Sequence, residues 1–126
     1  MAGKFVIKNA KNGVKFNLHA GNGEIIASSE VYSSKAACEN GIESVRTNSA
    51  GEIEDQTVEG FEVKTNPKFE IYRDKAGEFR FRLKARNGEI IATGEGYASK
   101  DGCKNGIESI KKNAPEAKVV DESEEA

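Results

Sequence analysis

The chain has no tryptophan, one methionine, one histidine, two prolines and two cysteines in 126 residues. Two cysteines, Cys38 and Cys103, are too few for a disulfide framework and lack the spacing of a metal site, so they read as buried thiols in a reducing, cytoplasmic setting. A single histidine, His19, leaves no partner for a metal site or a general base, and no metal or cofactor is expected. Long apolar runs are missing too. The longest, Ile25-Ile26-Ala27, falls far short of the roughly 20 residues that span a bilayer, which excludes a membrane helix of the usual kind. With 19 basic and 21 acidic residues the net charge is -2, so by bulk charge the chain is neither a polyanion-binding protein nor a disordered acidic chain.

What is there is a repeat. Displacing the chain by 65 residues lays Phe16–Asn48 over Phe81–Asn113 with 20 identities in 33 positions. Asn22-Gly23-Glu24-Ile25-Ile26-Ala27 recurs at Asn87–Ala92, and Asn40-Gly41-Ile42-Glu43-Ser44 recurs at Asn105–Ser109. Upstream of Phe16 the offset falls to 64, so the second copy carries one extra residue between Gly77 and Phe81, which suits a turn.

Within each copy the periodicity changes once. Phe5 and Ile7, then Phe16, Leu18 and Ala20, alternate with polar residues, as Phe69 and Ile71, then Phe79, Phe81, Leu83 and Ala85 do in the second copy; this is the period of half-buried strands. Asn22-Gly23 and Asn87-Gly88 predict type I′ turns, with positive φ at both residues, leading into a third strand. Helical spacing follows. Ser33 or Ser34 is placed to cap a helix whose apolar face is Cys38, Gly41, Ile42 and Val45, mirrored by Cys103, Gly106, Ile107 and Ile110. An extended segment closes each copy, about 53–64 and about 117–120. The expectation is therefore an α+β fold of two tandem βββαβ repeats, about 4–65 and 68–120, in one domain over 1–120. The two would form one mainly antiparallel sheet with both helices on one face, followed by a disordered acidic tail at 121–126. Units of about 60 residues are marginal alone, so the copies should share a core within a monomer of pseudo-two-fold symmetry.

These paired signatures, together with Glu30-Val31-Tyr32-Ser33-Ser34-Lys35, resemble the YegP-like family of small uncharacterised bacterial proteins. The resemblance covers nearly the whole chain. It implies a single sheet in which the C-terminal strands are exchanged between the repeats, and it brings no activity and no site residue with it.

Candidate residues divide into structural and functional readings. Gly41 and Gly106 lie mid-helix, where glycine costs roughly 1 kcal/mol against alanine, and a close helix-to-sheet approach is the expected compensation. Asn40 and Asn105 precede them at the border of the apolar face and are expected to bond a neighbouring strand or loop. Tyr32 and Tyr97 sit in the strand-to-helix loops, two residues after Glu30 and Glu95, and are expected to pack beside the helix starts; an enzyme would need a pocket gathering these tyrosines with these glutamates. The feature that points to a partner is basic. With Phe81 and Leu83 inward, Arg80, Arg82, Lys84 and Arg86 share the opposite face, a candidate surface for anions or single-stranded nucleic acid that the acidic tail could cover. Residues 68–112 carry 11 positive and 7 negative groups, against 7 and 9 in residues 1–67. The function expected is a small non-enzymatic binding or structural module, its partner unknown but a protein or nucleic acid rather than a membrane, with weak anion or nucleic-acid binding as the alternative.

Overall fold

The computed structural model describes residues 3–123. In the first copy, strands β1 (Lys4–Ala10), β2 (Gly13–His19) and β3 (Ile25–Ser28) precede helix α1 (Lys35–Asn48) and strand β4 (Glu52–Asp55). The second copy repeats the order with β5 (Lys68–Arg73), β6 (Phe79–Lys84), β7 (Ile90–Thr93), α2 (Lys100–Asn113), a 3-10 turn at Ala114–Glu116 and β8 (Lys118–Asp121). One eight-stranded mixed sheet results, ordered β4-β5-β6-β7-β3-β2-β1-β8. Each short closing strand lies parallel to the first strand of the other copy: β4 beside β5, with Glu52 opposite Lys68, and β8 beside β1, with Lys118 opposite Lys4.

Alternation decides which face is apolar. Phe5, Ile7, Phe16 and Leu18 and their counterparts Phe69, Ile71, Phe81 and Leu83 are fully buried. They form one core with Cys38, Ile42 and Val45 of α1 and Cys103, Ile107 and Ile110 of α2. Each buried phenylalanine contributes about 1.5–3 kcal/mol of transfer free energy. Ser34 and Ser99 cap the helices, accepting from the amides of Ala37 and Gly102 at 3.1 and 3.0 Å.

The turns depart from the type I′ expectation. Positive φ occurs at Gly23 and Gly88 but not at Asn22 or Asn87. The amide of Gly23 donates to Ala20 O and that of Ala20 to Glu24 O, which makes a three-residue loop with glycine in the left-handed position; Ala85 to Glu89 repeats it. Asn22 and Asn87 serve instead as acceptors for the amides of Glu24 and Glu89, both at 3.0 Å. The offset of 64 has its cause in the first hairpins. Ala10 pairs directly with Gly13 across two residues, whereas Asp74 to Glu78 closes a three-residue loop.

Two further expectations are corrected. The segment at 53–64 is strand only to Asp55, because the Asp55 carboxylate accepts from the Thr57 amide at 3.0 Å and from its hydroxyl, folding the chain into a turn. The tail at 121–126 does not begin at Asp121, which is the last residue of β8. Asp121 accepts from the Ser123 amide in the same way, and the Glu122 amide donates to Ile7 O, as Gln56 does to Ile71 O. The rest of the tail, 124–126, lies outside the described residues.

Candidate functional site

Both helices lie on one face of the sheet, so the side chains that alternate outward form an open face. Register across the strands puts Glu54, Glu70, Arg82, Thr93, Ser28, Asn17, Val6 and Val120 in one row. The sequence-predicted cations occupy the half of this face that belongs to the second copy, and carboxylates accompany them. Arg82 Nε lies 2.6 Å from Glu70 Oε1, Lys84 Nζ 3.2 Å from Glu70 Oε2, and Arg80 Nε 2.6 Å from Asp74 Oδ2. The Arg82 guanidinium also lies over the Tyr72 ring, 4.5 Å from its centroid. Arg86 is exposed in the hairpin loop past the end of β6 and does not continue the row.

Beside them sits a buried network. Lys68 Nζ bridges Glu54 Oε1 at 2.7 Å and Glu70 Oε2 at 3.3 Å, and both glutamates are 2% exposed. Burial by itself would raise the Glu54 carboxyl. Hydrogen bonds from Gln56 Nε2, Lys68 Nζ and the Lys64 amide outweigh it and hold the group down at about 2. Burial likewise opposes, and bonds from Arg82 and Lys84 overcome, in lowering Glu70. The stripe is thus largely neutralised from within. Nor do the described residues of the acidic C-terminal segment, up to Ser123, cover it, since four strands separate β8 from β6 and Glu116 lies in the 3-10 turn.

Tyr32 and Tyr97 are pinned to the sheet by backbone pairs with Val14 and Phe79. Their rings stack on Phe16 and Phe81, at 6.3 Å between centroids and 12° and 19° between planes. Gly41 and Gly106 accommodate these rings. A Cβ on Gly41 would stand 2.7 Å from Tyr32 Cζ and closer still to its hydroxyl, and one on Gly106 3.0 Å from Tyr97 Cζ. The approach that requires glycine is made first by the loop tyrosine and then by the sheet, with Phe16 Cε2 of β2 3.2 Å from the Gly41 position and Phe81 Cε2 of β6 3.1 Å from that of Gly106. Asn40 and Asn105 are exposed, contrary to the expectation of a bonded border position. The buried amides of the helices are Asn48 and Asn113, which donate back to Ser44 O and Ser109 O at 2.7 and 2.8 Å; their identity in both copies was the available signal.

At the seam between the copies β3 and β7 share a single register pair, Ser28 with Thr93, and splay apart on either side. One resulting cleft, about 420 Å³, does gather Tyr32 with Glu30, and adds Glu89 from the other copy. The chemistry there is muted. Burial, reinforced by nearby Cys38, Glu30 and Glu89, raises the Tyr32 phenol. Burial also pushes the Cys38 and Cys103 thiols up to about 11, far from a reactive thiolate. His19 Nδ1 lies 3.1 Å from Gly23 O in an exposed turn contact. Among the described residues no group of three metal-ligating side chains converges, and no helix is long and apolar enough to cross a membrane.

Comparison with known proteins places this architecture. The chain is 46% identical over 120 residues to the YegP protein of Yersinia pestis, which covers 94% of this chain and 95% of that one. It is 42% identical over 124 residues to a UPF0339 protein of Pseudomonas aeruginosa, covering 98% and 100%. A Treponema denticola relative matches 54 residues at 68% identity across 93% of its own length, so it corresponds to less than half of this chain. Among solved structures, the solution structure of the Escherichia coli protein yegP, described as of unknown function, superposes with a TM-score of 0.80 at 36% identity over 100% of this chain and 97% of that one. These names carry no activity. The model of the domain of unknown function DUF1508 matches twice, at residues 9–55 and 74–121, and the chain belongs to that family.

Proposed function

We propose that this chain is a monomeric, non-enzymatic binding module that presents the helix-free face of its sheet to a macromolecular partner. The observation that carries the reading is the disposition of the layers: both helices pack on one face, and the opposite face carries a row of polar and charged side chains across six strands, from Glu54 on β4 to Asn17 on β2, with Val6 and Val120 completing it on β1 and β8. Raised thiols, a raised phenol and a solitary histidine support a role without covalent or acid–base chemistry. The cleft that joins Tyr32 to Glu30 supplies geometry without an activated group.

The strand exchange belongs to the same proposal. Lys100 at the start of α2 reaches Asp55 at the end of β4 at 2.9 Å, and Lys35 at the start of α1 reaches Asp121 at the end of β8 at 2.8 Å. Each copy's closing strand is thus held by the other copy's helix, which supports one folding unit with a rigid face rather than two linked units.

Pull-down from the source cell, with and without nuclease, tests the face. Thr93→Trp, in the middle of the row, should abolish capture of whatever the wild-type chain retains, while Lys104→Trp on the exposed surface of α2 should preserve it. Loss with the α2 variant and retention with Thr93→Trp would overturn the reading.

A further inference from the structure

The two halves of the open face are not equivalent. In the second copy's half, Lys68 stands opposite Glu52, and Glu54 and Glu70 lie buried among the cations. Register assigns the corresponding positions of the other half to Lys4, Lys118, Val120 and Val6. Three carboxylates are therefore replaced by a lysine and two valines. Lys4 stands directly opposite Lys118, and Lys8 directly opposite Lys15, where the second copy has Tyr72 and Arg80. Like charges facing one another across strands oppose folding. Among the described residues none of these four lysines is within ion-pair distance of a carboxylate, while all three cations of β6 are paired.

The same corner of the sheet holds a concavity. Lys4 and Lys118 flank a cleft of about 480 Å³ lined also by Ala20, Gly21, Glu116 and Val120. Lys8 lies on β1 roughly 13 Å from Lys4, a separation that an extended polyphosphate backbone covers in two steps. The neighbouring row, which runs from Val6 through Asn17, Ser28 and Thr93, is uncharged. Val6 is 3% exposed and Val120 only partly exposed, and this part of the face carries no aromatic side chain for insertion into a lipid interface.

We propose that the β8–β1–β2 face binds the phosphate backbone of a single-stranded nucleic acid through Lys4, Lys8, Lys15 and Lys118, with one nucleotide entering the cleft beside Lys4 and Lys118. The partner follows from charge complementarity: point cations at strand spacing, without a carboxylate partner among the described residues, meet successive phosphates, and contact of this kind is tolerant of sequence. The proposal rests on the sheet face being the binding surface and names its ligand.

Titration of the full chain with a short oligothymidylate, followed by amide chemical shifts at several salt concentrations, is the test. Shifts should concentrate on β1, β2 and β8. Four phosphate contacts give a slope of log affinity against log salt of roughly -2.8, and Lys8→Gln/Lys15→Gln should halve it to roughly -1.4 with about a tenfold loss at low salt. Lys118→Glu, which recreates Glu52 of the other half on an exposed site, should weaken binding without affecting the fold. Shifts confined to β6 or the Arg86 loop, or unchanged slopes in the lysine variants, would overturn the proposal. Equal, lysine-dependent binding of polyglutamate or of phosphatidylserine vesicles would overturn the choice of nucleic acid yet leave the sheet face as the binding surface. Silence toward all three probes would sink the lysine site, and the Thr93→Trp pull-down would then judge the broader reading separately.

Discussion

Gly41→Ala should destabilise the protein although it improves the helix, and the sign should reverse once Tyr32 is removed. Alanine gains about 1 kcal/mol over glycine in a helix interior. The new methyl, however, meets the Tyr32 ring at 2.7 Å from Cζ and Phe16 Cε2 at 3.2 Å. Relief requires the tyrosine to swing away from Phe16, forfeiting a stacking contact worth about 0.5–1.5 kcal/mol and part of its burial, within the roughly 1–3 kcal/mol typical of overpacking. The net effect of Gly41→Ala is a loss of about 1–2 kcal/mol. In a Tyr32→Ala background only the mild Phe16 contact remains, and the same substitution should stabilise by about 0.5–1 kcal/mol. Urea unfolding midpoints at constant m-value for the four members of the cycle give the coupling, expected at about 1.5–3 kcal/mol. Equal stabilisation by Gly41→Ala in both backgrounds would refute the idea that the glycine exists to seat the tyrosine. Gly106 and Tyr97 provide an independent copy of the experiment.

Lys68→Met should cost about 3–5 kcal/mol in denaturant unfolding, because it leaves buried Glu54 without a cation while Glu70 keeps Arg82 and Lys84, and adding Glu54→Gln should recover part of the loss. Since Glu54 is held at about 2 against an ordinary 4.5, its contribution to stability is complete above pH 4.5 and fades as pH falls toward 2; Glu54→Gln should flatten the decline of the urea midpoint across that window. Deleting residues 121–126 removes the Glu122 amide bond to Ile7 O, worth about 1 kcal/mol or roughly 4 °C, and the ion pair of Lys35 with Asp121, so it should lower the melting temperature. A fragment of residues 1–67 lacks both β8 beside β1 and β5 beside β4, and light scattering should find it unfolded or dimeric; a stable folded monomer would show that the copies do not depend on each other.

The sequence by itself determined the elements and their duplication. Alternation at Phe5 and Ile7 and at Phe16 and Leu18, the serine caps and the helical spacing from Cys38 to Val45 are local regularities, and local regularities dictate local structure. The same alternation already turned Lys4, Lys8 and Lys15 outward. The Asp-x-Thr and Asp-x-Ser endings at Asp55 and Asp121 were equally legible as strand stops. Tertiary structure alone decided what each outward side chain meets. Arg80, Arg82 and Lys84 form a basic stripe along one strand, and only the pairing of β5 with β6 brings Glu70 against Arg82 and Lys84; only the docking of β8 on β1 sets Lys118 opposite Lys4, 114 residues away in sequence. Likewise the position of Gly41 was visible, but the reason for it, a tyrosine from the preceding loop stacked on Phe16, is a contact between three separate elements. Charge along a strand is written in the chain, whereas charge across a sheet depends on register and strand order, and those are properties of the assembled fold.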